Sequence, residues 1–354
     1  MGYPIDYFLI KQFFQHIKNL TMKIFIICAV WKNTKNNHAG MYYLAKQLKK
    51  RLDFDIEIIP IFVHGSRFFT PLYRLLNLCI GCYLYFILKP NDIVFLMEYL
   101  LPVCEQGDIA RLVSKKAKVL ALAHLIPARI EEEYSRANLL KKISYVDKLL
   151  VLGTSLKDYF ISKGIENDKI IKTYHYVDNK YYIPSKNDCN TKFNVICMGN
   201  MERNYTLLCD ILSKLPALHF HICMGIGDIS QKFTSFSNVT LYGYMEEAEL
   251  LELMQSSDVS LNLMNDTVGS NVITTSLASG LVVLASNVGS IGDYITDGKE
   301  GYLFNDINVA IEKLRILSEN TDLLCSMKKN AVTRAEELSL DNFCQWFHQL
   351  VSLK

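Results

Sequence analysis

The sequence predicts an α/β protein of two parallel-sheet domains in tandem, and three observations carry that prediction. At 354 residues the chain is too long for one ordinary core and suits two domains of ~150–180 residues. From Lys23 onward, short apolar runs alternate with amphipathic stretches, the pattern of strands and helices wound into parallel sheets. A polar segment, IPSKNDCNTK, interrupts the alternation near residues 183–192, after which it starts again. The expected division is a first domain at 23–182 and a second at 190–335, preceded by an extension at 1–22. A last helix at 336–354 is expected to pack back on the first domain.

Strand expectations in the first half are KIFIICAV, DIEIIPIFV, DIVFLM, KVLALAH and KLLVLG, mostly continuous apolar runs of the kind buried on both faces of a parallel sheet. Helices are expected between them at Gly40–Leu52, Leu72–Leu88, Glu105–Lys116, Arg129–Ile143 and Ser155–Lys163. The second half offers FNVICMG, LHFHICMG, VTLYGY, VSLNLM and LVVLAS as strands, with helices closing the chain from Asp306. Tandem sheets of this kind point to a ligand in the cleft between them, at the carboxyl ends of the strands. A dinucleotide oxidoreductase is disfavoured, because Gly225-Ile226-Gly227 lacks the third glycine of the phosphate-binding fingerprint.

Composition narrows the class. Half the residues are hydrophobic and 21% charged, as in a well-packed globular protein. Ten cysteines at irregular spacing read as a reducing, cytoplasmic setting. Cys79 and Cys82 form a CxxC inside LLNLCIGCYLYFIL with no second pair nearby, so core packing is expected rather than zinc or redox chemistry. That run is roughly 14 residues, short of the ~20 that span a bilayer. No metal and no cofactor are expected. Residues 1–185 carry 26 Lys and Arg against 16 Asp and Glu, the remainder 12 against 20. The basic first half suits an anionic membrane or a phosphorylated acceptor, or simply a solvated helix face such as LAKQLKKRL. No nucleic-acid partner is expected, since no aromatic-interleaved basic patch occurs. The extension MGYPIDYFLIKQFFQHIKNLTM reads as a short amphipathic segment able to lie on a membrane, or as residues from an upstream start codon. It lacks the features of a cleavable signal.

The candidate site residues concentrate in the second half. In DTVGSNVITTSLASGLVVLAS, Gly269-Ser270-Asn271 falls where a helix should begin and Ala278-Ser279-Gly280 where it should end. Amides of Ser270, Asn271 and Val272 at that helix start favour an anion such as a diphosphate. In MGNMERN after the first strand of this half, Arg203 offers a guanidinium fork for phosphate oxygens. A cation at a helix start is opposed by the dipole unless it meets an anion. His124 stands at the end of the fourth strand, where a cleft residue belongs. A neutral imidazole there can bond a sugar hydroxyl, a charged one can offset a diphosphate, and a structural bond to a loop carbonyl is the alternative.

Taken together, these segments resemble the retaining GT-B glycosyltransferases, especially family 4, over most of the chain after Lys23. The resemblance implies two Rossmann-like domains facing each other across a cleft. It implies acceptor-side roles for His38 and Gly40 in NNHAGMYYLAKQL, and a sugar-facing role for His124. Gly199 and Arg203 would then hold the donor diphosphate, and the turn at Tyr242-Gly243-Tyr244-Met245 would meet the nucleotide base, with Tyr244 in contact. His175-Tyr176-Val177-Asp178 corresponds to a structural hinge. The family usually has two glutamates eight positions apart. Counting from Gly280 gives Thr267 and Thr275, and counting from Gly269 gives Asp266 and Thr274. Asp266 is the carboxylate available for the sugar, and a threonine is left for the ribose. The implied activity moves a sugar from a nucleotide-diphosphate donor to a hydroxyl of a glycan or lipid-linked glycan, with retention, at the cytoplasmic membrane face. A catalytically inactive nucleotide-sugar-binding subunit is the alternative.

Overall fold

The computed structural model describes residues 22–31, 37–186 and 192–352. The extension expected at 1–22 lies outside them apart from Met22, as do residues 187–191 of the expected boundary. Contacts divide the chain into two compact units. Met1–Val151, Lys157–Thr173 and Phe343–Lys354 form the first, and Leu152–Leu156 with Tyr174–Asn342 the second.

The first unit holds six parallel strands: β1 (Lys23–Trp31), β2 (Asp55–Val63), β3 (Ile93–Tyr99), β4 (Lys118–Ala123), β5 (Lys148–Val151) and β6 (Ile170–Lys172). Their order is β2-β1-β3-β4-β5-β6. The interior of β1 is buried at every position from Ile24 to Val30, so both faces are covered and alternation disappears. The strand order reverses between β1 and β3, and the carboxyl ends at such a reversal open a crevice. Phe347 of the last helix, Leu340–Ser352, stacks on Phe95 of β3 with ring centroids 5.2 Å apart.

The second unit repeats the class with β7 (Asn194–Met198), β8 (His219–Cys223), β9 (Val239–Tyr242), β10 (Val259–Asn262), β11 (Val282–Ser286) and β12 (Gly301–Phe304). All pairs are parallel, in the order β12-β11-β10-β7-β8-β9. Val195, Phe220, Leu261, Val282 and Leu284 lie at the centre of its core, each nearly or fully buried. Here the order reverses between β7 and β10.

The α/β expectation of two parallel sheets therefore holds, with local corrections. β6 and β12 were not expected, because each is a short edge strand paired on one side and carries little apolar signal. The single helix expected at Arg129–Ile143 is two, Pro127–Glu133 and Arg136–Ser144. Tyr134 turns extended, and Ser135 restarts the helix by accepting the Asn138 amide at 3.4 Å. Cys79 and Cys82 are exposed rather than packed in the core. The helix Thr70–Ile87 buries its Tyr73, Asn77, Ile80, Gly81 and Leu84 face, and the cysteines fall outside that face. Gly81 lets this helix approach the helix Gly107–Val113, where a Cβ would lie 3.4 Å from the Ile109 Cα. Among the described residues no helix is long and apolar enough to cross a membrane.

Candidate functional site

In the second unit the exits of β7 and β10 are laced together. Gly199 (φ +80°) and Glu202 (φ +52°) turn the chain left-handed after β7. Arg203 then bridges Met264 in antiparallel fashion. The Asn204 amide donates to Leu263 O and the Asn265 amide to Glu202 O, both at 2.9 Å. Asn204 also caps the helix Tyr205–Lys214 by accepting the Leu207 amide at 3.1 Å. The Arg203 side chain thus starts from a fixed backbone and folds inward, where Nε donates to Met198 O at 3.1 Å.

Among the described residues no carboxylate pairs with Arg203, and burial pulls its pKa below the usual arginine value. A guanidinium taken from water without a counter-anion is unfavourable, so this position is suited to an incoming anion. A Cβ on Gly199 would lie 3.0 Å from Arg203 Nη2 and 3.4 Å from Val272 Cγ2. The loop, the cation and the first turn of the helix Asn271–Ala278 therefore meet at Gly199, where a side chain would intrude between them.

That helix begins as the sequence predicts. Ser270 is extended, and its Oγ accepts the Val272 amide at 3.2 Å. Of the three amides expected to face an anion, Val272 is thus already engaged by the cap. Gly269 has φ +133°, and any Cβ there would run into the Tyr294 hydroxyl. That hydroxyl is buried, donates to Leu152 O at 2.6 Å and accepts the His175 amide at 2.9 Å. Asp266 accepts the Thr267 amide at 2.7 Å and faces Gly289, where a Cβ would collide with its carboxylate. The Thr274 and Thr275 hydroxyls donate to Asn271 O at 3.2 and 2.7 Å. Thr274 is fully buried, and Thr275 has only acceptor lone pairs left for a ribose. Tyr244 is 47% exposed in the loop after β9, while the adjacent Met245 packs in one cluster with Met198, Cys223 and Val272.

Beneath the helix lies a polar seam that sequence reasoning missed. Ser276 Oγ donates to Ser260 Oγ at 2.8 Å, and Asn262 Nδ2 donates to the same oxygen at 2.9 Å, all three residues being fully buried. Its only signal was the interruption of the apolar run VSLNLM by Ser260 and Asn262.

The first unit gathers a different set at its own strand ends. His124 Nε2–H donates to Met97 O at 2.6 Å, and burial lowers its pKa to about 4. Its imidazole is therefore neutral near pH 7, which fits a hydroxyl partner and not the offset of phosphate charge. Next to Met97, Glu98 went unforeseen. It is buried, and Oε2 accepts the Ala29 amide at 2.9 Å and the Gln106 amide nitrogen at 3.3 Å. Burial raises its pKa to about 8, so it is mostly a neutral acid at pH 7. Gln106 in turn accepts the Glu98 amide at 3.2 Å. His38 is tilted against Tyr43 at 5.0 Å between ring centroids. Gly40 (φ +115°) opens the helix Met41–Arg51 with no atom within 4 Å of where its Cβ would be. Among the described residues no group of three His, Cys, Asp or Glu side chains could hold a metal ion.

Residues 192–320 match the family model described as Glycosyl transferases group 1. Trehalose synthase of Thermococcus litoralis is 35% identical over 89 residues, 25% of this chain and 22% of that protein. Sulfoquinovosyl transferase SQD2 of Arabidopsis thaliana is 31% identical over 134 residues, 35% of this chain and 26% of that protein. The chain thus spans about a quarter of the length of these curated relatives. Among solved structures, Anabaena Alr3699/HepE in complex with UDP aligns over 94% of this chain and 100% of that one. Its TM-score is 0.68 at 15% identity, a likeness of fold.

Proposed function

We propose, from a chain that belongs to the group 1 glycosyl transferases and has their GT-B fold, that it is an enzyme transferring a sugar from a nucleotide-diphosphate donor. The acceptor is a hydroxyl of a glycan or lipid-linked glycan in cell-surface polysaccharide synthesis, at the cytoplasmic face of a membrane, and the anomeric configuration is retained. One observation carries this reading. Arg203 is held inward with no carboxylate partner among the described residues, at Gly199 and against the first turn of the helix Asn271–Ala278. A diphosphate supplies the missing anion, and the guanidinium fork with the Ser270 and Asn271 amides stabilises the charge that departs with the nucleotide. Asp266 is the carboxylate assigned to the donor sugar, and Tyr244 the contact to the base. His124 is assigned, with Asp266, to the catalytic site facing the donor sugar, and His38 and Gly40 serve the acceptor side. Support for the donor class comes from the relative solved with UDP.

The test is thermal stabilisation by a panel of nucleotide sugars, followed by release of nucleoside diphosphate in the presence of acceptor extracts. Arg203→Ala should remove the stabilisation, and full retention would rule out its phosphate role. Asp266→Asn should lower turnover more than nucleotide binding. A second reading, a donor-binding subunit without turnover, is favoured by the Thr274 and Thr275 hydroxyls being engaged within their own helix. Strong stabilisation with no nucleotide release, even with native lipid-linked acceptors, would select it.

A further inference from the structure

We infer that the outer face of the helix Thr70–Ile87, with the turn before it, is the surface by which this chain lies on an anionic lipid bilayer. The inference deepens the reading above by locating where a lipid-linked acceptor is met, and only that link rests on it. Away from its buried stripe, this helix presents Leu72, Leu75, Leu76, Tyr83 and Phe86, with Phe68 just ahead of it. Phe68 and Phe86 are 84% and 82% exposed. The exposed residues recur every three or four positions, with exposed Cys79 filling the middle, so they form one stripe. At 1.5 Å per residue the stripe from Leu72 to Phe86 runs for roughly 21 Å. A soluble monomer rarely leaves so continuous an apolar strip in water. The opposite stripe is packed in the unit's own core, so the helix can lie along a bilayer but not through it.

Charge selects the occupant. The helix contains no acidic residue, and Arg67, Arg74 and Lys89 lie along it or at its ends. Lys115 and Lys116 are exposed beside it, with Lys116 Nζ 4.5 Å over the Tyr85 ring. Asp108 pairs with Arg74 and Arg111, and Glu133 with Arg67. No acid among the described residues pairs with Lys89, Lys115 or Lys116. A second copy would bring the same cations to its twin, whereas an anionic leaflet neutralises them at ~1 kcal/mol each. Tyr83 and Tyr85, apolar rings with polar tips, suit the depth of lipid headgroups. The stripe also lies in the unit that holds His38 and Gly40, assigned to the acceptor side, and starts near His124. Arg67 pairs with Glu133 at the end of the helix Pro127–Glu133, which begins three residues after His124.

The test is co-sedimentation of the full chain with phosphatidylcholine vesicles, with and without phosphatidylglycerol. Binding should require the anionic lipid and weaken as salt rises. Phe68→Ser/Leu75→Gln/Phe86→Ser, all surface changes, should lower partitioning at least roughly tenfold. Lys115→Gln/Lys116→Gln should lower it about fivefold or more. Phe86→Trp keeps the stripe apolar, and its emission should shift to the blue on anionic vesicles. Equal partitioning of the triple variant, equal binding to both vesicle types, or an unshifted Trp emission overturns the inference. So does a dimer in light scattering that the triple variant converts to monomer. Stabilisation by uridine diphosphate is measured in parallel. It should survive the triple variant and vanish in Arg203→Ala, whose vesicle binding should be unchanged. A chain that binds vesicles but no nucleotide would sink the donor reading alone.

Discussion

The two sheets belong to one class, yet the carboxyl ends of their strands differ in charge. In the second unit a permanent cation, Arg203, stands at the reversal with no carboxylate partner among the described residues. In the first, two titratable side chains stand at the strand ends, and burial keeps both neutral near pH 7, Glu98 by raising its pKa to about 8 and His124 by lowering its own to about 4. A fixed charge suits a diphosphate, and neutral donors and acceptors suit hydroxyls. The backbone scaffold is shared, and what differs is which charge state burial allows.

The strongest way to break the comparison is Gly269→Ala. It adds a Cβ against the Tyr294 hydroxyl at φ +133°, so a loss of roughly 2–5 kcal/mol in denaturant unfolding is expected. Less than about 1 kcal/mol would mean that the turn is looser than described. Arg203→Met comes next. Nucleotide affinity by calorimetry should fall roughly 10- to 100-fold. The melting temperature without nucleotide should hold or rise, because a half-buried cation with no carboxylate partner among the described residues is gone. A lower melting temperature would mean that the cation stabilises the fold itself.

The neutral pair gives a pH test of intermediate size. Glu98 holds in the fold a proton that the unfolded chain, at about 4.5, releases. Its contribution is complete below that pH and is lost as pH rises to about 8. His124 is the reverse, complete above 6.5 and lost as pH falls to about 4. The slopes oppose each other up to 6.5, so from this pair stability should be nearly flat there and decline from 6.5 to about 8, at on the order of 1 kcal/mol per pH unit. Glu98→Gln should abolish that decline, and its persistence would contradict a neutral Glu98. The smallest effect is expected for Thr275→Val, which should cost about 1 kcal/mol of stability and change nucleotide affinity by no more than about twofold. A larger affinity loss would show that its hydroxyl leaves the helix to meet the ribose.

Much of the fold was legible because strands buried on both faces, such as β1 and β11, write themselves as unbroken apolar runs. The short edge strand β12 does not, since GYLF is four residues long and has only its ends buried. The capped start at Ser270 was legible from residue type alone. The exposure of Cys79 and Cys82 was not, since an apolar face reads the same whether or not a neighbour covers it. Glu98 left a faint mark, a carboxylate one residue after the apolar run DIVFLM, and its bond to Ala29 joins residues 69 apart in sequence. Local pattern cannot report such a pairing.

The short ladder between residues 202–204 and 263–265 has a kinetic consequence. β7 and β10 pair directly at only two positions, Val195 with Val259 and Ile196 with Ser260, and this pairing is where the two halves of the second sheet join. The Asn204 and Asn265 amides extend that seam past the strand ends. They should exchange with solvent deuterium only when the seam opens, as part of one cooperative unit. An anion gripped at Arg203 would close the opening from above, so slowed exchange at two backbone positions would record occupancy even when no product is made.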